Sequence, residues 1–175
     1  MRSLRTDLAL EAREIYEEGN NASSIPGVKT DVKELEDCVV TRVEVLDEQG
    51  AQIMNKGIGV YITIESKLMK YDDDESREQI IKYVTDELRD ILGNDKTKKT
   101  LVVGLGNWNI TSDALGPKAV SKTLVTRHIF KNYNKDYDDD FTEVAALSPG
   151  VMGITGLETS ETIKSIVDTI KPDRV

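Results

Sequence analysis

From residue 100 onward the chain alternates between two patterns that leave few folds open. Thr100-Leu101-Val102-Val103-Gly104 is a short, nearly all-apolar run, as expected of a strand buried on both faces. Glu143-Val144-Ala145-Ala146-Leu147 is a second run of this kind. Between them a helix is predicted at 116–131, with Pro117 near its first turn. After them comes a helix at 158–170, where Ile163, Ile166, Val167 and Ile170 recur at helical spacing. Pro172 stops it, and Lys171-Pro172-Asp173-Arg174-Val175 reads as a turn leading into a further strand. Strand, helix, strand, helix and nascent strand predict a mostly parallel α/β sheet with flanking helices. The sequence reads as cut inside that fold, between a helix and the strand it feeds.

The first hundred residues follow a different pattern. Residues 7–18 are helix-prone, and Gly19 to Gly27 is a loop. Val39, Thr41, Val43 and Val45 alternate with Arg42 and Glu44, which predicts a half-buried strand. Asp47-Glu48-Gln49-Gly50 reads as a turn, followed by a strand at 57–65 in which Ile58, Val60, Ile62 and Ile64 alternate with Gly59, Tyr61 and Thr63. These two strands predict an additional antiparallel pair beside the parallel sheet. Tyr71-Asp72-Asp73-Asp74-Glu75 opens a helix at 76–92 whose Ile81, Val84, Leu88 and Ile91 form one apolar stripe, with Gly93-Asn94 as its stop. Acidic residues suit a helix start, and EF-hand spacing is absent. The second acidic run, Asp136 to Asp140, reads as a solvated loop between a helix and a strand.

Composition narrows the chemistry. One cysteine, Cys38, excludes an internal disulfide framework and a Cys-based zinc site, and one histidine, His128, excludes multi-histidine metal sites. Net charge of -9 argues against nucleic acid as the main ligand. No apolar run reaches the ~20 residues of a membrane-spanning helix, and the first residues lack a secretory pattern. Cys38 has no histidine nearby to make it a nucleophile. His128, three and four residues after Val125 and Leu124, is placed at a core edge on their helix face.

Two loops remain, and both leave the carboxyl ends of predicted parallel strands, where α/β sheets bind ligands. The first runs from Gly104-Leu105-Gly106-Asn107-Trp108-Asn109 through Asp113 to Gly116-Pro117. Asn109 stands where a dinucleotide fingerprint needs its third glycine, and the helix begins too late to meet a pyrophosphate. Asp113 is either the N-cap of the following helix or an acid, base or ligand in the crevice. The second loop, Ser148 to Thr159, carries Thr155-x-x-Glu158, a capping-box pattern. Its glycines, Gly150 and Gly156 among them, equally permit close approach by an extended ligand.

At these loops the chain resembles the germination protease family of endospore-forming bacteria. The resemblance rests on Arg5-Thr6-Asp7-Leu8-Ala9-Leu10-Glu11-Ala12, on Gly104-Leu105-Gly106-Asn107-Trp108-Asn109 through Asp113-Ala114-Leu115-Gly116-Pro117, and on Ser148-Pro149-Gly150-Val151-Met152 through Thr155-Gly156-Leu157-Glu158-Thr159. It implies an α/β fold like that of the hydrogenase-maturation peptidases and an endopeptidase that degrades small acid-soluble spore proteins in the spore core. It further implies a tetrameric enzyme, free of metal and cofactor, made as a zymogen that removes its own propeptide. Asp7-Leu8 is then the expected processing bond, residues 1–7 the propeptide, and 8–175 the N-terminal part of one peptidase domain. The family mechanism is of an aspartic type with two carboxylates, of which Asp113 matches the first. Gly106, Asn107, Gly150, Thr155, Gly156 and Glu158 are the matching candidates for substrate contact. The second carboxylate belongs to the strand after Lys171-Pro172-Asp173, and Asp173 itself belongs to the turn. Family members are roughly twice as long, so this polypeptide alone is expected to have little or no peptidase activity.

Two other readings compete. In a nickel-dependent maturation-type peptidase Asp113 would be a metal ligand, which the scarcity of histidine and the 155–159 loop disfavour. In a non-catalytic interaction fragment, an unpaired sheet edge would pair with a second chain carrying the rest of the fold.

Overall fold

The computed structural model describes residue 9 and residues 25–70, 73–132 and 141–175. The helix expected at 7–18, the Asp7-Leu8 bond and the Asp136–Asp140 loop lie outside these residues, apart from Ala9, which is helical and buried. The chain divides into two compact units, Met1–Gly93 and Asn94–Val175.

The first unit is built on a three-stranded antiparallel sheet in the order β1 (Val28–Glu34), β2 (Cys38–Val45), β3 (Gly59–Ser66). The expected pair is therefore a triplet. Val28, Thr30 and Val32 alternate with Lys29, Asp31 and Lys33, but the strand is largely exposed and its apolar signal is thin. Register places Val43 opposite Thr30 and Tyr61, so one face of the sheet carries Val43, Val45 and Val28. This face forms a core with Ala9, Ile25 and Met54.

The segment read as a turn at Asp47–Gly50 is instead the start of helix α1 (Glu48–Met54). Asp47 caps it, its carboxylate accepting from Gly50 N–H at 2.8 Å. Gly50 signals close packing rather than a turn: a Cβ there would lie 2.4 Å from the Gly27 carbonyl oxygen.

Helix α2 (Asp74–Leu92) begins as expected, with the Asp73 carboxylate accepting from the Ser76 N–H and hydroxyl. Those two hydrogen bonds hold the Asp73 carboxyl below its usual range. Gly93 ends the helix at φ 56°. The apolar stripe does not turn into the core: Ile81 is 61% exposed and Leu88 50%. Charged side chains tie the helix to the other face of the sheet. Lys33 Nζ meets Glu87 Oε1 at 3.0 Å, raising the Lys33 pKa, and Arg42 pairs with both Glu44 and Asp90.

The second unit contains the expected parallel pairing. β4 (Thr100–Val103) runs beside β5 (Val144–Leu147), with Leu101 opposite Ala145 and only 2% exposed. Between them, the helix expected over 116–131 is broken into α3 (Leu115–Lys122) and α4 (Arg127–Asn132). The break comes from threonine. The Thr123 hydroxyl donates back to the Ala119 carbonyl, and the buried Thr126 leaves helical geometry to bond β5. Its hydroxyl donates to the Thr142 carbonyl and accepts from Val144 N–H at 2.9 Å. Leu124 and Val125 thus lie outside either helix, and His128 on α4 is exposed rather than at a core edge.

After β5 come a short helix, α5 (Met152–Thr155), and α6 (Thr159–Ile170). Lys171 closes α6 in the left-handed conformation, and the chain returns to the free edge of β4. Arg174 pairs with Thr100 in parallel, Leu101 N–H donating to its carbonyl at 2.9 Å.

Thr126→Val keeps the side-chain shape but strips both hydrogen bonds from a buried position. It is expected to lower unfolding free energy by about 1–3 kcal/mol in urea titration; an unchanged midpoint would show that the threonine does not hold β5.

Candidate functional site

Both candidate loops start at the carboxyl ends of the parallel strands, joined there by Gly104 N–H donating to the Leu147 carbonyl at 2.9 Å. The first loop is folded tightly on itself. Asn107 N–H donates to the Asp113 carbonyl at 2.9 Å, Ile110 N–H to Asn107 at 3.1 Å, and Asp113 N–H to Ile110 at 2.9 Å. The Asn107 side chain is buried and accepts from Asn109 N–H at 3.0 Å, fixing the turn that carries Trp108 outward. Gly106 adopts φ 126°, which an L side chain rarely takes. A Cβ there would lie 2.1 Å from the Asp113 carbonyl oxygen and 3.0 Å from its carboxylate Oδ1.

Asp113 sits in a 3-10 turn, Thr111–Asp113, and is exposed. It is not the N-cap of the helix that follows. Ala114 occupies that place and makes no side-chain cap bond. The Asp113 carboxylate is therefore not used in capping the helix. Gly106, Asn107 and Asp113 form one contiguous group.

The second loop is also held, though differently from expectation. Thr155 is the last residue of α5, not the cap of α6. Its hydroxyl donates to the Val151 carbonyl at 3.2 Å and accepts from Leu157 N–H at 3.2 Å. Glu158 stands at the N-cap place of α6 without a capping bond, so the Thr155–Glu158 capping box is not formed. Gly156, Leu157 and Glu158 lie between the end of α5 and the start of α6. Gly150 and Gly156 both take positive φ, and the Gly150 carbonyl accepts from the Thr159 hydroxyl at 3.2 Å. Apolar side chains stand exposed along both loops, Trp108 and Ile110 on the first and Met152 and Ile154 on the second.

Asp173 lies at the opposite, amino end of β4. Its carboxylate accepts from Lys99 N–H at 2.8 Å and its own N–H donates to the Lys99 carbonyl, so it is spent on the turn. Cys38 is buried, and burial pushes its thiol up, away from the thiolate form. Among the described residues no three His, Cys, Asp or Glu side chains converge as a metal-binding group. No helix among them is long and apolar enough to cross a membrane. Gly104 and Gly116 bracket the first loop.

Asn107→Ala removes the acceptor that holds Asn109 N–H, at a cost of about 1 kcal/mol. The fluorescence anisotropy of Trp108, the one tryptophan in the chain, is expected to fall while the far-ultraviolet spectrum stays the same. Unchanged anisotropy would mean that Asn107 does not stiffen the loop.

Comparison with known proteins bears on this site as a whole. A sequence model of the family described as germination protease matches residues 9–175. The germination protease of Clostridium tetani is 48% identical over 98% of this chain and 53% of its own length. That of Clostridium acetobutylicum is 46% identical over 100% of this chain and 54% of its own. That of Bacillus licheniformis is 39% identical over 99% and 48%. The chain spans about half the length of these curated relatives. With both loops inside the matched region, the chain belongs to the germination protease family.

Proposed function

We propose that the protein carrying this chain is an endopeptidase that cuts small acid-soluble spore proteins during germination, with Asp113 as one of two catalytic carboxylates. The observation that carries this is the exposed Asp113 carboxylate, free of capping duty, beside Gly106 at the carboxyl end of β4 in a chain of a protease family. A carboxylate so placed can take a proton from water as the water attacks a peptide carbonyl. A second carboxylate nearby holds the shared proton and polarises that carbonyl, since two such groups close together do not both ionise. Asp173, committed to its turn, is not that partner. Gly150 and Gly156 leave room beside the crevice for an extended peptide backbone, and Gly106, Asn107, Thr155 and Glu158 line the same two loops.

The rest of the family's pattern belongs to this reading. Residues 1–7 are a propeptide released at Asp7-Leu8, residues 8–175 are the first part of a single peptidase domain like the hydrogenase-maturation peptidases, and the protein works in the spore core as a homo-oligomer without a metal.

The test uses the natural gene product carrying this sequence, incubated with a purified spore protein. Cleavage at a single class of site is expected, and Asp113→Asn should lower the rate at least about 1,000-fold, as loss of a group acting in the transition state does. Cleavage at the normal rate by Asp113→Asn would remove Asp113 from the mechanism. Activity lost on chelation and restored by nickel would favour the metal-dependent alternative.

A further inference from the structure

We propose that Gly104 and Gly116 are positioning residues for Asp113, which rests on reading that carboxylate as catalytic. Neither glycine adopts positive φ, so backbone conformation does not explain their presence. Space does. A Cβ on Gly104 would stand 2.2 Å from the Gly116 carbonyl oxygen and 2.6 Å from Val120 Cγ2. A Cβ on Gly116 would stand 2.1 Å from the Leu105 carbonyl oxygen and 2.7 Å from Leu105 N. Real Cβ atoms do not come within 3.0 Å of such neighbours. The obstructing atoms are mostly backbone, and backbone cannot swing aside as a side-chain tip can.

The two ends of the loop therefore lie main chain on main chain, the end of β4 against the start of α3. Gly106 makes a third such contact, against the carbonyl of Asp113 itself. Asp113 is separated from Gly116 only by Ala114, which is 1% exposed, and Leu115. Any side chain at position 104 or 116 must part the strand from the helix by about 1 Å to restore normal contact. Asp113, between the two contacts, moves with the helix start. A displacement of about 1 Å at a reacting group costs about 100-fold in rate.

The experiment compares Gly116→Ala with Asp113→Asn and with Gly57→Ala in the natural gene product, with a spore-protein peptide as substrate. Gly57 is a matched control, since the nearest neighbour of a Cβ there is the Tyr61 hydroxyl at 3.7 Å. Gly116→Ala is expected to lower kcat about 100-fold with KM within about twofold, while Gly57→Ala cleaves normally. A loss confined to stability would leave kcat of the folded fraction unchanged, and that result overturns the proposal. Asp113→Asn separates the two ideas: if it cleaves normally, the catalytic assignment fails, and if it is inactive while Gly116→Ala is active, the positioning role fails. Should Gly116→Ala not fold, hydrogen exchange in the unmodified protein decides. Protection of the Asn107 amide by more than about 100-fold over an unstructured peptide supports a locked loop, and weaker protection overturns it.

Discussion

The second unit depends on a strand of four residues that has a neighbour on each edge. β4 takes β5 on one side and, at its amino end, Arg174 on the other: Thr100 N–H donates to the Glu143 carbonyl and Leu101 N–H to the Arg174 carbonyl. Leu101, at the centre of this pairing, is the one fully buried residue of β4. The strand's position also decides what its two ends can do. The amino end is closed by Lys99 and Asp173, which bond each other twice. The carboxyl end opens into the loop that carries Asp113. Two aspartates near one strand thus have unlike fates, one spent on a turn and one left to solvent.

The first unit solves its packing in another way. One face of its sheet is covered by aliphatic side chains, but β1 and β2 present Lys33 and Arg42 on the other, and helix α2 answers with Glu87 and Asp90. Each pair joins an exposed partner, Lys33 or Asp90, to a largely buried one, Glu87 or Arg42, and solvent at the exposed end weakens the attraction. They do orient the helix, and the outcome is that Ile81 and Leu88 point away from the sheet. An amphipathic pattern identifies a helix more securely than it identifies which face the fold will cover.

Much of the architecture was legible because it depends on local chemistry. The parallel strands, though only half-buried apart from Leu101, the helix closed by Gly93 and the return toward β4 after Pro172 all follow from apolar runs and breakers. The failures share a cause: one residue type serves several purposes. Gly50 reads as a turn residue, yet it is small because Gly27 lies against it. Thr126 sits in a helical pattern, yet its hydroxyl bonds a strand 18 residues later. Thr155 and Glu158 have capping-box spacing, but a short helix consumes the threonine first. At the candidate site the residue types were visible and their connections were not. That Asp113 is unused by α3 depends on the 3-10 turn before it, which no periodicity announces.

The tightness of the Gly104–Gly116 loop has an entropic side. A loop of this length, free in solution, would have to be ordered whenever anything bound to it, and that loss would weaken binding at every encounter. Here the disorder is surrendered once, as the chain folds, and is charged against the stability of the unit rather than against any later encounter.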